Sequence, residues 1–302
     1  MVPSFDELIA RSRLPRLEAR ALAEHASGCA REWLIAHGDE AAAPAVEERF
    51  VALVRRRADG EPLAYLVGHR EFYGRRFRVT PAVLIPRPEM ELLVQWALQT
   101  APHGARVLEL GTGSGAIAIT LALERPDLRV LATDVSQAAI ELARTNAREL
   151  IAEVRRAHGD RTPPRAVAAA PQLRLGSWFD ALAATESFDL IVSNPPYIAA
   201  DDAHLREGDL RFEPQGALTD GSDGLGALRV LAAGAPGHLR PGGWAAFEHG
   251  WDQGAAARAL LGAAGLESVA TLRDGEGRER VSLGRRTAAQ SPFRRPAHSA
   301  PR

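Results

Sequence analysis

The chain of 302 residues contains no lysine: all 37 basic side chains are arginine, set against 38 acidic ones. Chemistry that needs a Schiff-base lysine, a phosphate-loop lysine or a lysine general base is thereby excluded. Cysteine is almost as scarce. Cys29 is the single thiol and reads as a small helix residue, so neither a disulfide framework nor a cysteine-rich metal site can hold the chain, which must fold on an apolar core. The nine histidines show no ligand spacing with acids or with Cys29, and no metal is expected. An excess of one charge is missing too. The net charge is -1, which argues against an autonomous nucleic-acid binder, because displacing counterions from phosphates takes surplus positive charge. No uncharged apolar run approaches the ~20 residues needed to cross a bilayer. Met1 is followed closely by Asp6 and Glu7 rather than by a leader-like pattern, and a cytoplasmic protein with no membrane partner is expected.

What is present is an apolar content of 46% arranged in two patterns. Across residues 5–58 apolar side chains recur at three- and four-residue spacings. Leu14, Leu17, Leu22, Trp33, Leu34, Phe50, Leu53 and Val54 fall on helical stripes broken near Gly28, Gly38 and Pro44, which predicts a small helical bundle over residues 1–62. Residues 63–84 change character. Tyr65, Val67, Phe72, Tyr73, Phe77 and Val79 favour strands, and Gly68 and Gly74 mark turns, so a β-hairpin linker is expected. Pro86 and Pro88 then stiffen the approach to a helix over 89–99 with Glu89 and Glu91 in its first turn.

After Pro102 short apolar strands alternate with helices, the signature of a parallel sheet covered on both faces. Strands are expected at 106–110, 129–133, 173–175, 190–193, 244–248, 268–272 and 279–283, with helices near 116–123, 136–150, 225–239 and 254–261. The expected class is α/β, a seven-stranded Rossmann-like sheet over 85–286 preceded by the helical bundle and the hairpin. Residues 151–171, carrying Pro163 and Pro164, read as a surface insertion, and 287–302, with three prolines, as a disordered tail.

Two turns carry the chemistry. The run Val107-Leu108-Glu109-Leu110-Gly111-Thr112-Gly113-Ser114-Gly115-Ala116 places a buried strand before a glycine-rich turn and a helix start. Glycine is needed there because the backbone must turn tightly and admit a ligand with no Cβ in the way. Gly111, Gly113 and Ala116 also satisfy a dinucleotide fingerprint, and Asp134 ends the next strand where a ribose-binding carboxylate belongs, so an NAD-dependent reductase stays open. Glu109 tilts the balance toward S-adenosyl-L-methionine: an acid beside the loop can accept from an ammonium, whereas it would repel a pyrophosphate.

The second turn is Asn194-Pro195-Pro196-Tyr197, at the end of the strand expected at 190–193. Ligands of open α/β sheets bind at the carboxyl ends of the strands, so this turn faces the same crevice as the glycine loop. Pro195 and Pro196 lack N–H groups and restrict φ, which leaves a stiff backbone presenting carbonyl acceptors beside the Asn194 side-chain oxygen. Two converging acceptors orient a planar NH2 group, and Tyr197 can stack on it. An NAD-dependent reductase would leave this turn unexplained. No general base is obvious, and none is required, because the amide proton becomes acidic as the new N–C bond forms.

Together the two turns resemble the S-adenosylmethionine-dependent methyltransferases that act on planar nitrogens. Further segments point to one branch: Ile85-Pro86-Arg87-Pro88-Glu89, Ser177-Trp178-Phe179, Phe212-Glu213-Pro214, Gly221 to Leu225 and Glu248 to Gly254. With these, residues 5–283 resemble the peptide chain release factor glutamine N5-methyltransferase family. The resemblance implies a Rossmann-like methyltransferase sheet in which Gly111, Thr112, Gly113, Ser114 and Gly115 form the cofactor loop and Asp134 holds the ribose. It places Trp178 near the adenine, has Asn194 touch both cofactor and substrate, and has Asn194, Pro195, Pro196 and Tyr197 hold the glutamine, with Asn194, Pro195 and Tyr197 acting in catalysis. The implied substrate is the Gly-Gly-Gln glutamine of class 1 release factors, gripped in part by the helical domain, and the expected enzyme is a monomer with no direct nucleic-acid partner. A ribosomal protein L3 glutamine methyltransferase, a DNA or RNA amino-methyltransferase and a non-catalytic scaffold are the alternatives. Met90 departs from the pattern, since the family usually has threonine there. His249 reads as structural.

Overall fold

A computed structural model describes residues 2–158 and 169–287. Its amino-terminal part is helical: α1 (Phe5–Arg11), α2 (Arg16–Ser27), α3 (Arg31–Ala36), α4 (Pro44–Ala58) and α5 (Leu63–Val67). Local signals start and stop these helices. Ser4 and Glu7 form a reciprocal cap at the start of α1, and Gly28 ends α2 in a left-handed conformation with φ 74°. Leu22, Leu34, Phe50 and Leu53 are buried in their shared core, but Leu17 is 68% exposed, so the helical stripe expected to bury it does not.

The hairpin predicted over 63–84 is shorter than expected. Residues 63–67 are helical and pack Leu63, Leu66 and Val67 onto the bundle core, while β1 (His69–Phe72) and β2 (Arg75–Arg78) pair antiparallel. Tyr73 and Gly74, with φ of 50° and 71°, supply the two positive angles that a tight hairpin turn requires. Phe72 and Phe77 meet edge to face at 6.0 Å and are buried against the main core.

The remainder comprises α6 (Met90–Thr100), β3 (Arg106–Leu110), α7 (Ala116–Glu124), β4 (Arg129–Asp134), α8 (Gln137–His158), β5 (Gln172–Leu175), β6 (Phe188–Ser193), α9 (Gln215–Leu218), α10 (Gly226–His238), β7 (Leu239–Glu248), α11 (Gly254–Ala263), β8 (Glu267–Arg273) and β9 (Glu279–Arg285). The seven-stranded sheet runs β5-β4-β3-β6-β7-β9-β8. Its first five strands are parallel, while β9 runs antiparallel to β7 and to β8, so the sheet is mostly rather than wholly parallel. Along β3, Val107 joins the core beneath α6, α7 and α8, whereas Leu108 and Leu110 join the core beneath α10 and α11, as the two-residue period of a strand dictates.

α8 continues to His158, so the first part of the insertion expected at 151–171 is helix. Pro163, Pro164 and the tail expected at 287–302, apart from its first residue, lie outside the described residues. Order 5-4-3-6-7 places the strand reversal between β3 and β6, and both chemistry-bearing turns leave the sheet there.

Candidate active site

The glycine loop leaves β3 and turns at once into α7. Gly111, Gly113 and Gly115 all have positive φ, at 75°, 55° and 84°. A Cβ on Gly115 would lie 2.6 Å from the Ile119 side chain and 3.2 Å from Ala143, so the helix start also needs the missing side chain for packing. The loop is anchored on its sheet side, where the Gly111 and Thr112 N–H groups both donate to the Thr133 carbonyl at 2.9 Å. From behind, Asn146 donates to the Ser114 carbonyl at 2.8 Å and exchanges hydrogen bonds with the backbone of Arg78, which ties the hairpin to the loop.

Asp134 stands at the end of β4. One carboxylate oxygen accepts the Gly113 N–H at 2.8 Å and the other the Ser136 N–H at 2.9 Å. Burial raises its pKa and those N–H donors oppose the rise. Each oxygen keeps a further lone pair for a hydroxyl. Glu109 is tied into the loop itself. It shares the face of β3 with Val107, and one of its oxygens accepts both the Thr112 hydroxyl at 2.6 Å and the Ala118 N–H at 3.0 Å. The side chain is 1% exposed, and that oxygen braces the junction between the loop and α7. Burial pushes its carboxyl up to about 8.

At the next strand, Ser193 donates to the Leu110 carbonyl at 2.6 Å and locks the end of β6 against β3. Asn194 follows, and its side-chain oxygen is buried with no hydrogen-bond partner. Tyr197 is gripped at both ends. The Gln253 amide donates to its carbonyl at 2.9 Å and to the Gly224 carbonyl at 3.2 Å, while the Tyr197 hydroxyl lies 3.5 Å from Glu248, the outer limit of a hydrogen bond. Gln253 also accepts the Gly250 N–H at 2.9 Å. Gly224, with φ 76°, can have no side chain here, because a Cβ would overlap the Tyr197 carbonyl oxygen. Burial pushes the Tyr197 hydroxyl up, with the Glu248 charge adding to the effect.

A cavity of about 260 Å³ opens between the two turns. Gly111, Thr112, Gly113, Ser114, Asp134, Trp178, Asn194 and Pro196 all line it. Glu109, Gly115, Pro195 and Tyr197 do not line it. Its remaining walls are mainly apolar, among them Val83, Met90 and Val135. An apolar cavity with a few convergent polar groups is the usual form of a small-molecule site.

The family model for the PrmC N-terminal domain matches residues 6–68, and that for the methyltransferase small domain matches residues 90–209. A release factor glutamine methyltransferase of Xylella fastidiosa is 54% identical over 278 residues, covering 91% of this chain and 95% of that protein. Another, of Bordetella pertussis, is 54% identical over 280 residues, or 92% and 97% of the two chains. The chain belongs to the release factor glutamine methyltransferase family. A crystal structure of a methyltransferase from Pyrococcus furiosus has the same fold, with a TM-score of 0.50 at 20% identity over 80% of this chain and 98% of that one.

Membership in this family gives weight to side chains that the residue-by-residue reading passed over. Glu213, buried at the head of α9, accepts the Ile85 N–H at 3.0 Å and pairs with Arg87, so the Pro86-Arg87-Pro88 stretch is tied to the segment that brings Pro214 and Ala217 over the cavity. Tyr65 donates to the Val83 carbonyl at 2.6 Å and fixes the same wall from the helical side. Met90 lines the cavity, and its sulfur accepts the Arg87 N–H at 3.3 Å, a contact made without the family's usual threonine hydroxyl. The segments were legible as family signatures, but a sequence shows no partner for an acid or an amide 100 residues away. His249 binds the Gly250 carbonyl and the Ser282 hydroxyl through its two ring nitrogens, at 2.8 and 2.9 Å, and burial lowers its pKa, as a structural histidine requires. Among the described residues no cluster of three or more His, Cys, Asp or Glu side chains is placed to hold a metal.

Proposed function

We propose that this chain transfers a methyl group from S-adenosyl-L-methionine to the side-chain amide nitrogen of the Gly-Gly-Gln glutamine in class 1 peptide chain release factors. The observation that carries the reading is the buried, unpartnered Asn194 oxygen in the wall of a cavity that also holds the glycine loop and Asp134. A buried acceptor left open costs on the order of 1–3 kcal/mol, a cost that makes sense where a bound group completes the bond. The residues fit the cofactor. Asp134 offers lone pairs to ribose hydroxyls, the loop brings backbone close without a Cβ at Gly111 or Gly113, and Trp178 supplies a flat wall for a base.

S-adenosylmethionine, when bound, supplies a methyl carbon on a sulfonium that departs as a neutral thioether. The chain's own residues deal with the nucleophile. An amide nitrogen is weakly nucleophilic because its lone pair is delocalised, so orientation is the main resource available. Asn194 accepts one amide hydrogen and the Pro195 carbonyl the other, and Tyr197 bears on the flat face of the amide. As the nitrogen gains a bond to carbon it becomes acidic, and its extra proton leaves to solvent. The all-arginine, single-cysteine composition is compatible with chemistry that relies on carbonyl acceptors alone.

The helical domain grips the release factor, and the enzyme acts as a cytoplasmic monomer without a nucleic-acid partner. No helix among the described residues is long and apolar enough to cross a membrane. Transfer of labelled methyl to purified release factor, compared with a factor whose Gly-Gly-Gln glutamine is alanine, tests the reading. Labelling of the first alone is expected. Equal labelling of both would remove the substrate assignment, and labelling of ribosomal protein L3 instead would favour the sister enzyme.

A further inference from the structure

Glu248 ends β7, one strand away from the Asn194 turn, and is 1% exposed. One of its oxygens faces the Tyr197 hydroxyl at 3.5 Å and the other is buried without a partner. For a role in packing alone this is a poor choice. A methionine or leucine would fill the space without burying an unsatisfied polar atom, which costs on the order of 1–3 kcal/mol. Such costs persist where a site needs them.

The neighbourhood indicates what is needed. Tyr197 is part-buried, with its carbonyl clamped by Gln253 and its hydroxyl directed to Glu248. The backbone end is therefore fixed by one contact and the far end of the ring by another. Without the second, the ring is free to swing about its side-chain torsions while its backbone stays in place. The charged groups around the carboxyl are Glu89, whose charge disfavours ionisation, and Arg280, which favours it and is itself bound to Asp274 at 2.9 Å; Glu89 and Arg87 also act on Tyr197.

We propose that Glu248 is a positioning residue for methyl transfer, holding the Tyr197 hydroxyl so that the ring bears squarely on the substrate amide. This rests on the methyl-transfer reading above. Burial, reinforced by Glu89, pushes the carboxyl up to about 8. Through neutral pH the group is thus uncharged and accepts from Tyr197 as a neutral acid.

Steady-state labelling of release factor by the full chain, with melting temperature and S-adenosylhomocysteine affinity as controls, provides the test. Glu248→Ala is expected to lower kcat by roughly 10- to 100-fold, the scale of a small misplacement of a reacting group, with cofactor affinity within about 2-fold of wild type. Glu248→Gln retains an acceptor of the same shape and is expected to recover most of kcat. Tyr197→Phe combined with Glu248→Ala is expected to be no worse than Glu248→Ala alone, since both remove one contact. A Glu248→Ala enzyme with wild-type kcat, losses that multiply in the double variant, or a Glu248→Gln enzyme as slow as Glu248→Ala would each overturn the proposal. If the alanine variant does not fold, Tyr197→Phe, which removes the same contact from the other end, decides: a fall of kcat of similar size with unchanged cofactor affinity is expected, and wild-type kcat would overturn the proposal. A wild type that labels no release factor would overturn the methyl-transfer reading and this inference with it, whereas a labelling wild type with an indifferent Glu248 overturns only the inference.

Discussion

The two turns that meet at the cavity differ in how far their polar groups are satisfied. At the glycine loop the polar groups pair within the chain: Glu109 serves Thr112 and Ala118, Asp134 serves Gly113 and Ser136, and the Gly111 and Thr112 N–H groups share the Thr133 carbonyl. At the Asn194 turn they do not. Of the three buried side-chain atoms without a partner among the described residues, two belong to Asn194 and Glu248. The loop is built before its ligand arrives, which favours binding by leaving little to order. On the proposed reading the turn holds acceptors for a group that arrives with the substrate, and such preorganised acceptors favour the transition state more than they favour the fold.

That contrast can be broken most sharply at Asn194. Asn194→Ala is expected to lower kcat by roughly 10²-fold or more while leaving S-adenosylhomocysteine affinity within a few-fold, measured by single-turnover labelling and calorimetry. Wild-type turnover would mean that the open acceptor has no part in orientation. Asp134→Ala should do the reverse, weakening calorimetric affinity for S-adenosylhomocysteine by about 10- to 100-fold, the worth of a hydrogen bond to a charged group, with a smaller change in the chemical step. An unchanged affinity would place the ribose elsewhere.

Gly224→Ala probes the clamp behind the turn. The added Cβ must displace the Tyr197 carbonyl at a backbone angle that disfavours side chains, so a loss of about 1–3 kcal/mol in stability is expected. A fall of kcat of about 10-fold should accompany it, read with thermal melting on the same sample. If kcat held while stability dropped, the clamp would be a folding device only.

The smallest effect belongs to Glu109. Because one oxygen makes both of its hydrogen bonds, Glu109→Gln retains them and should leave activity near wild type. Its signature is in pH dependence. The folded pKa is raised from 4.5 to about 8. Folding therefore favours the protonated acid, and its contribution is complete below the lower value and is lost as pH rises through the upper one. Wild-type stability should decline across that window at up to ~1.4 kcal/mol per pH unit for this group, and the glutamine variant should decline less steeply in denaturant melts. Equal slopes would show Glu109 to be ionised in the folded chain.

The strands and helices after Pro102 were legible because each buried strand is a short apolar run and each covering helix an apolar stripe, and Gly111 to Gly115 announced a turn by the angles that only glycine adopts readily. The helix Leu63–Val67 was hidden, since Tyr65 and Val67 favour strands in isolation while the bundle core rewards a helical face there. What Glu109 holds was not legible. The alternation of β3 sends its side chain to the α7 face with Val107, where one oxygen takes the Thr112 hydroxyl and the Ala118 N–H. The reversal of β9 was likewise invisible, because a strand's pattern does not record the direction of its neighbour.

By itself, then, the sequence determined the order of elements, the two candidate turns and the exclusion of lysine chemistry, since these depend on residue type and on spacing along the chain. Only the tertiary structure decided which acids brace the loop, that Gln253 holds Tyr197 in place, and that Glu248 lies against its hydroxyl. The last two join residues 56 and 51 positions apart. They exist only where strand order and burial bring the carboxyl ends of β6 and β7 together, and no local pattern carries that information.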